Sequence, residues 1–387
     1  MTADARTGEA DARVFGPEGL ASLVEALREA GYRVVGPTVR DGAIVLDEIS
    51  SADELPHGFT ASQEAATYRL ERRDDHAVFG WAVGPHSWKQ ELLPPRIRLW
   101  LVARPENGDV PAIEEEPVPA RPLALMGARS CDLHAIAIQD KVFLEGEFVD
   151  RDYAGRREGA FVVVVNCGVP GGTCFCSSMG TGPRADAGYD LALTEIVDGE
   201  FRFVAEVGSE RGAEILSAVP GRPATDADLT AALAVTNDAA KQMGRELDTA
   251  GLPELLAANR EAPRFAEVAE RCLTCGNCTA VCPTCFCTSV EDVNDLADGS
   301  AERWRVWDTC FSVDYSYIHG GSVRRSGEAR YRQWLTHKFG TWFDQFGTPG
   351  CVGCGRCITW CPVGIDVTEE LAEIRAADQE VEHGNAR

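Results

Sequence analysis

The chain lacks any run of apolar residues long enough to cross a bilayer, which takes about 20. Its N-terminus, Met1 to Arg13, is acidic and polar, without the apolar segment of a secretory leader. A cytoplasmic location with no membrane partner is the expectation. Basic charge is scarce: 37 Lys and Arg stand against 61 Asp and Glu in 387 residues, a formal net charge of −24. Nucleic-acid phosphates would be repelled by such a body, so no nucleic-acid partner is expected, and contacts must rely on local patches. No G-x-G-x-x-G follows a strand-like run, and the P-loop, H-E-x-x-H and nucleophile-elbow patterns are missing. No nucleotide cofactor is therefore expected on this chain. His134, His319 and His337 are scattered without a partner at useful spacing, so no catalytic residue is nominated.

Cysteine, by contrast, is plentiful, with 15 residues. In a chain expected to be intracellular this points to metal rather than disulfides. Cys272, Cys275 and Cys278, then Cys282-Pro283, spell C-x2-C-x2-C-x3-C-P, and Cys351, Cys354, Cys357 and Cys361-Pro362 repeat it. This is the spacing of bacterial ferredoxins that carry two [4Fe-4S] clusters, in which the fourth thiolate of each run closes the other cluster. The expected ligand sets are Cys272, Cys275, Cys278 and Cys361 for cluster 1, and Cys351, Cys354, Cys357 and Cys282 for cluster 2. Structural zinc takes four thiolates as well, but it leaves the second run without a purpose. Cys278, Cys282 and Cys285 also spell the C-x3-C-x2-C of radical enzymes, a reading that strands Cys272, Cys275 and the whole second run.

The fold class expected is α+β: an N-terminal α/β region followed by a two-cluster ferredoxin-like domain with a long insertion between its cysteine runs. The divisions are 1–120, 121–262 and 263–387, with the insertion at about 288–349. Leu20, Leu23, Val24 and Leu27 recur at helical spacing, and Gly31 is placed to end that helix. Tyr32 to Val35 and Ala43 to Leu46 look like strands joined by an Asp41-Gly42 turn. Gly84 to Pro95 reads as a loop, and Pro105 to Pro122 as an exposed connection. Pro122 to Met126 and Phe161 to Val165 read as buried strands, with a helix over Asp132 to Leu144 between them. Asp366 and Glu369 mark a helix start, with Val367, Leu371 and Ile374 as its apolar stripe.

Cys131 and Cys167 fall at the C-terminal ends of those two buried strands, where open α/β sheets place ligands. Cys174 and Cys176 follow in a glycine-bounded loop, two apart, so that in extended backbone both face one side. Two readings stay open here: a third [4Fe-4S] cluster held by Cys131, Cys167, Cys174 and Cys176, or buried free thiols packing as small apolar residues. Cys285, Cys287 and Cys310 remain, and Thr-Cys-Phe-Cys at 284–287 echoes the string at 173–176. Ala301 to Gly350 concentrates aromatics, and its arginines outnumber its acids, a mix suited to covering clusters and to docking a partner.

The strings Gly127-Ala-Arg-Ser-Cys-Asp-Leu-His-Ala-Ile, Thr173-Cys-Phe-Cys-Ser-Ser-Met-Gly-Thr-Gly-Pro, Cys282-Pro-Thr-Cys-Phe-Cys and Arg330-Tyr-Arg-Gln resemble the beta subunit of cytosolic bidirectional nickel-iron hydrogenases, or sulfhydrogenases. The A subunit of anaerobic sulfite reductase is similar in layout. The resemblance spans roughly residues 80 to 366. It implies an iron-sulfur electron-transfer subunit, not catalytic alone, that passes electrons between a flavoprotein subunit binding FAD and NAD(P)H and a catalytic module. In the hydrogenase that module is the nickel-iron small and large subunits; in the alternative it is made of sulfite reductase subunits or belongs to another flavin-linked reductase. A regulatory or scaffolding iron-sulfur protein is the reading from another class.

Overall fold

The computed structural model describes residues 12–385 apart from 104–111, 118, 120, 200 and 298, with side chains as far as residue 380. The first helix, Pro17–Glu29, begins on a proline whose fixed φ suits the first helical turn and buries Leu20, Leu23, Val24 and Leu27. Gly31, at φ +90°, turns the chain out of it. Strand Arg33–Arg40 then doubles back into Ala43–Glu48. The turn residues Asp41 and Gly42 both have positive φ, as tight two-residue hairpins require.

These strands form one end of an eight-stranded sheet. Its centre is parallel: Arg33 pairs with Leu123, Ala124 with Phe161 and Val163 with Leu191. Antiparallel strands Phe201–Val207, Arg13–Phe15 and Arg222–Pro223 complete the far edge. Buried on both faces, the central strands are continuous apolar runs. Ala124, Met126, Phe161, Val163 and Val165 meet the first helix, and Leu123, Leu125, Val162 and Val164 meet Leu133, Ile136 and Tyr153 on the other side. The expected helix between two strands runs from Ser130 to Phe143. Residues on both sides of position 120 thus share one sheet.

The segment read as a loop at 84–95 contains a short helix, Lys89–Leu92, whose Trp88 and Lys89 are buried. Part of the Pro105 to Pro122 connection lies outside the described residues; its Ile113–Glu115 is an edge strand of a second, four-stranded sheet. There Arg96–Val102 pairs with Ala301–Trp307, so chain from between the cysteine runs is bound to the N-terminal half.

The two runs fold alike. Each carries one short helix, Asn277–Ala280 or Arg356–Thr359, entered through a left-handed glycine, Gly276 or Gly355. A side chain at Gly355 would place its Cβ 2.4 Å from the Thr173 carbonyl oxygen. This close approach presses the second run against the Thr173 to Cys176 loop. The last helix starts at Val367 and buries Val367, Leu371 and Ile374 as expected.

Candidate metal centre

Cys272, Cys275, Cys278 and Cys361 line one cavity, together with Cys357, Phe311, Tyr331 and Trp334. Three of the four expected ligands come from the first run and the fourth from the end of the second. Backbone N–H groups already point at two of the sulfurs: Thr274 N is 3.4 Å from Cys272 Sγ and Ile365 N is 3.3 Å from Cys361 Sγ. Thr274 itself has φ +49°, a left-handed conformation that costs a non-glycine residue about 1–3 kcal/mol and gathers at functional sites. Tyr331 Oη and Trp334 Nε1 are buried on the cavity wall without a hydrogen-bond partner among the described residues. Buried donors left in that state are rare, and sulfide or thiolate acceptors in the cavity would satisfy them. The donor set and its orphaned partners therefore fit an iron-sulfur cluster. One rim is open, with Cys275 exposed and Leu273 62% exposed.

The second set, Cys351, Cys354, Cys357 and Cys282, is held more deeply. Gly353 N donates to Cys351 Sγ at 3.4 Å. Gly353, at φ +64°, takes the place that Thr274 has in the first run. Burial pushes the Cys351 thiol up to about 12 and raises Cys357 far above the usual thiol range. Cys282 moves the other way: the Cys285 thiol donates a hydrogen bond to it, and the Lys338 ammonium lies beside it. Lys338 Nζ is 3.4 Å from Cys282 Sγ and also donates to Thr284 Oγ1 and Gly350 O at 3.0 and 2.9 Å. Burial works against that ammonium, but the facing thiols outweigh it and hold its pKa high.

Cys131 and Cys176 pack in one buried cluster with Cys354 of the second set. Cys131 sits in the first turn of the Ser130–Phe143 helix, and Cys167 follows the strand Phe161–Val165. Cys176 senses Cys174 and Cys167, and Cys131 senses Cys176. The Cys174 thiol faces the Cys354 carbonyl at 3.8 Å. Burial pushes Cys174 up to about 12. Phe175, between the two loop thiols, is fully buried in a cluster with Leu247, Leu255 and Phe339. Among the described residues no three His, Cys, Asp or Glu side chains stand close enough to share a single metal ion.

Several residues at these sites were not singled out from the sequence. Arg356, 3% exposed, bridges the second run to the Cys131 helix: its Nη2 meets Asp132 Oδ1 at 3.0 Å and its Nε donates to Gly84 O. Arg129 is likewise buried, donating to the carbonyls of Phe79 and Trp81. The chain has only four lysines, and two of them, Lys89 and Lys338, are buried against thiols. Arg330 is an electrostatic neighbour of Cys272, and Arg324 of Cys310. Arg330 and Arg332 are occupied by the Phe311 carbonyl and by Arg260 O with Glu261. His337 stacks on Trp342 and pairs with Gln345, a packing role.

Comparison with known proteins agrees with this geometry. Residues 271–365 match the family model of the 4Fe-4S dicluster domain. No solved structure matches the chain. The sulfhydrogenase 2 subunit beta of Pyrococcus furiosus is 32% identical over 352 residues, covering 90% of this chain and 94% of that protein. The chain is an iron-sulfur protein of mixed helix and sheet with its dicluster domain at the C-terminal end, and it belongs to the sulfhydrogenase beta-subunit family.

Proposed function

We propose that the chain relays single electrons between a flavoprotein subunit, which binds FAD and NAD(P)H, and a nickel-iron hydrogenase module. The observation that carries this reading is the continuity of the thiol groups. The first cavity opens at the surface through Cys275, Cys357 lies on its wall while belonging to the second run, and Cys354 touches Cys174 of the N-terminal group. Electrons entering at one rim thus meet three sites in series: Cys272, Cys275, Cys278 and Cys361; then Cys351, Cys354, Cys357 and Cys282; then Cys131, Cys167, Cys174 and Cys176. Each set is proposed to hold a [4Fe-4S] cluster, about twelve irons per chain by cubane stoichiometry. Residues 288–349 are proposed as an insertion in a two-cluster ferredoxin-like domain that begins near 263. The segments 1–120 and 121–262 are proposed as one α/β body rather than two, because the sheet is continuous across position 120.

The test uses the purified chain. Alone it should neither oxidise NAD(P)H nor evolve hydrogen, and its clusters should become reduced once the flavoprotein subunit and NAD(P)H are supplied. NAD(P)H oxidation by the chain alone overturns the relay.

A further inference from the structure

The segment between Phe311 and Gly327 is tied to the first site at both ends. Phe311 stands on the wall of that cavity with Leu273 and Thr274, and a side chain at Gly327 would place its Cβ 3.2 Å from Thr274 Cγ2. Arg330 Nη1 closes the base of the loop by donating to Phe311 O at 3.0 Å, and Ser326 caps the helix Gly327–Thr336 by accepting from Ala329 N. Between these anchors the chain forms a hairpin, Tyr317–Ile318 with Gly321–Ser322, turned through Gly320 at φ +106°. Among the described residues its strands pair only with each other, so the loop belongs to neither of the two larger sheets.

What the loop presents to solvent is the second observation. Val313, Tyr317, Ile318 and Val323 are 46, 64, 60 and 58% exposed, and Leu273 on the cavity rim is exposed as well. Large apolar side chains gathered in water mark an interaction site. Charge points the same way. Residues 312–326 carry Arg324 and Arg325 against Asp314 alone, in a chain whose formal net charge is −24. Arg325 is exposed and donates to Ser322 O within the loop, and neither arginine pairs with a carboxylate among the described residues. Contacts between redox proteins are small, often below about 1,200 Å², so a few apolar side chains and two cations suffice.

We propose that this loop and Leu273 dock the electron donor over the first site, the donor being a flavoprotein whose flavin edge opens on an apolar surface ringed by carboxylates. The proposal rests on the relay reading and adds where the donor binds and what surface it presents. Carboxylates on the donor's rim meet Arg324 and Arg325, which steer the encounter against the repulsion of an otherwise acidic chain. The donor's apolar centre covers Tyr317, Ile318 and Val323. Cys275 is the one exposed thiol of the chain, so a partner seated at this rim leaves the electron the least protein to cross. Each encounter passes one electron from donor to first site; the two electrons of NAD(P)H make two such transfers, and its proton goes to solvent. A second copy of this chain is disfavoured as occupant, because two bodies of net charge −24 repel.

The test uses the full iron-loaded chain and the flavoprotein subunit purified from the native complex. Cluster reduction by flavoprotein and NAD(P)H is followed by stopped-flow absorbance, with the flavoprotein below saturation. Ile318→Asp should slow it about tenfold, as loss of an apolar anchor does. Arg325→Glu should slow it several-fold at low salt, and the loss should shrink as salt is added. Leu233→Asp, at an exposed position of the helix Asp226–Lys241, should change nothing. Dithionite should reduce every variant at the unaltered rate, which shows that the clusters are intact. Unaltered rates in both loop variants overturn the proposal. Because a substitution can disturb the loop, backbone hydrogen exchange of the unaltered chain is measured in parallel, and residues 313–325 should gain protection when the flavoprotein is added. Absence of that protection overturns the proposal, and so does protection conferred instead by the nickel-iron module or by raising the concentration of the chain alone. Failure of the relay reading looks different: the clusters of the unaltered chain would stay oxidised with flavoprotein and NAD(P)H although dithionite reduces them, while protection at 313–325 would still decide the docking.

Discussion

The first cysteine run faces a cavity with an open rim, edged by exposed Leu273 and Cys275 and walled by two neutral donors, Tyr331 and Trp334. The second run, with the same spacing and the same trailing proline, is closed in by Lys338, Arg356 and the Thr173 to Cys176 loop. Ligand spacing decides which inorganic core can be built, and it is identical in the two runs. Access and charge are decided by what the tertiary fold packs around each. A reduced cluster carries one more negative charge than an oxidised one, so nearby cations and hydrogen bonds to sulfur favour reduction and raise the potential. The second site, with a buried ammonium on Cys282, should hold electrons more tightly than the first.

The comparison breaks most directly at the shared proline-flanked ligands. Cys361→Ala should abolish the cluster of Cys272, Cys275 and Cys278 and spare that of its own run, and Cys282→Ala should do the reverse. Iron content with electron paramagnetic resonance of each variant measures this. Loss of the cluster nearest in sequence would mean that each run closes its own cage, and the two-region contrast would have to be redrawn. Access gives the next effect. A soluble chelator should strip the first cluster several-fold faster than the second, followed through the decay of their separate signals, and equal rates would remove the distinction between open and closed sites.

Charge gives a smaller, more specific effect. Lys338→Met removes an ammonium 3.4 Å from Cys282 Sγ. A hydrogen bond to a charged group contributes about 1.5–3 kcal/mol, which for one electron is about 65–130 mV. The second cluster should become harder to reduce by that amount in a potentiometric titration, while the first stays unchanged. A shift of both, or of neither, would show that the ammonium does not discriminate between the sites.

The thiols were legible in the sequence because their order is local: three residues per turn of a tight loop and a proline after the fourth. The two glycines that open the short helices lie inside the same strings. The first helix, the hairpin and the two buried strands were legible for the same reason, since periodicity and turn chemistry act over a few residues. What was not legible comes from distance along the chain. Strand Arg33–Arg40 pairs in parallel with Leu123–Ala128 some ninety residues on, a crossover with no local signal, so the boundary at 120 looked real. Lys89 sat in a segment that read as a loop, and Lys338 in a stretch whose arginines drew attention. Nothing in a lone lysine announces that tertiary contacts will bury it against sulfur. A cation two or three residues from a cluster ligand, such as Arg356 beside Cys354 and Cys357, is the one signal that was available.

The finest test of the contrast lies on the first site's wall. Tyr331 is 1% exposed and its hydroxyl has no partner among the described residues, so Tyr331→Phe removes a donor for which the cluster's sulfurs are the expected acceptors. Without the cluster the substitution should leave stability nearly unchanged, because no hydrogen bond within the protein is broken. With the cluster, loss of a neutral hydrogen bond of about 0.5–1.5 kcal/mol should lower the first potential by about 20–65 mV. The second potential should not move. The shift is expected to be smaller than that of Lys338→Met because a hydroxyl dipole carries no net charge. If Tyr331→Phe destabilises the apo chain as much as the loaded one, the hydroxyl has a partner in the protein and is not a donor to the cluster. If it shifts the first potential further than Lys338→Met shifts the second, the ranking of charge over dipole fails, and with it the account of why two identical ligand strings behave differently.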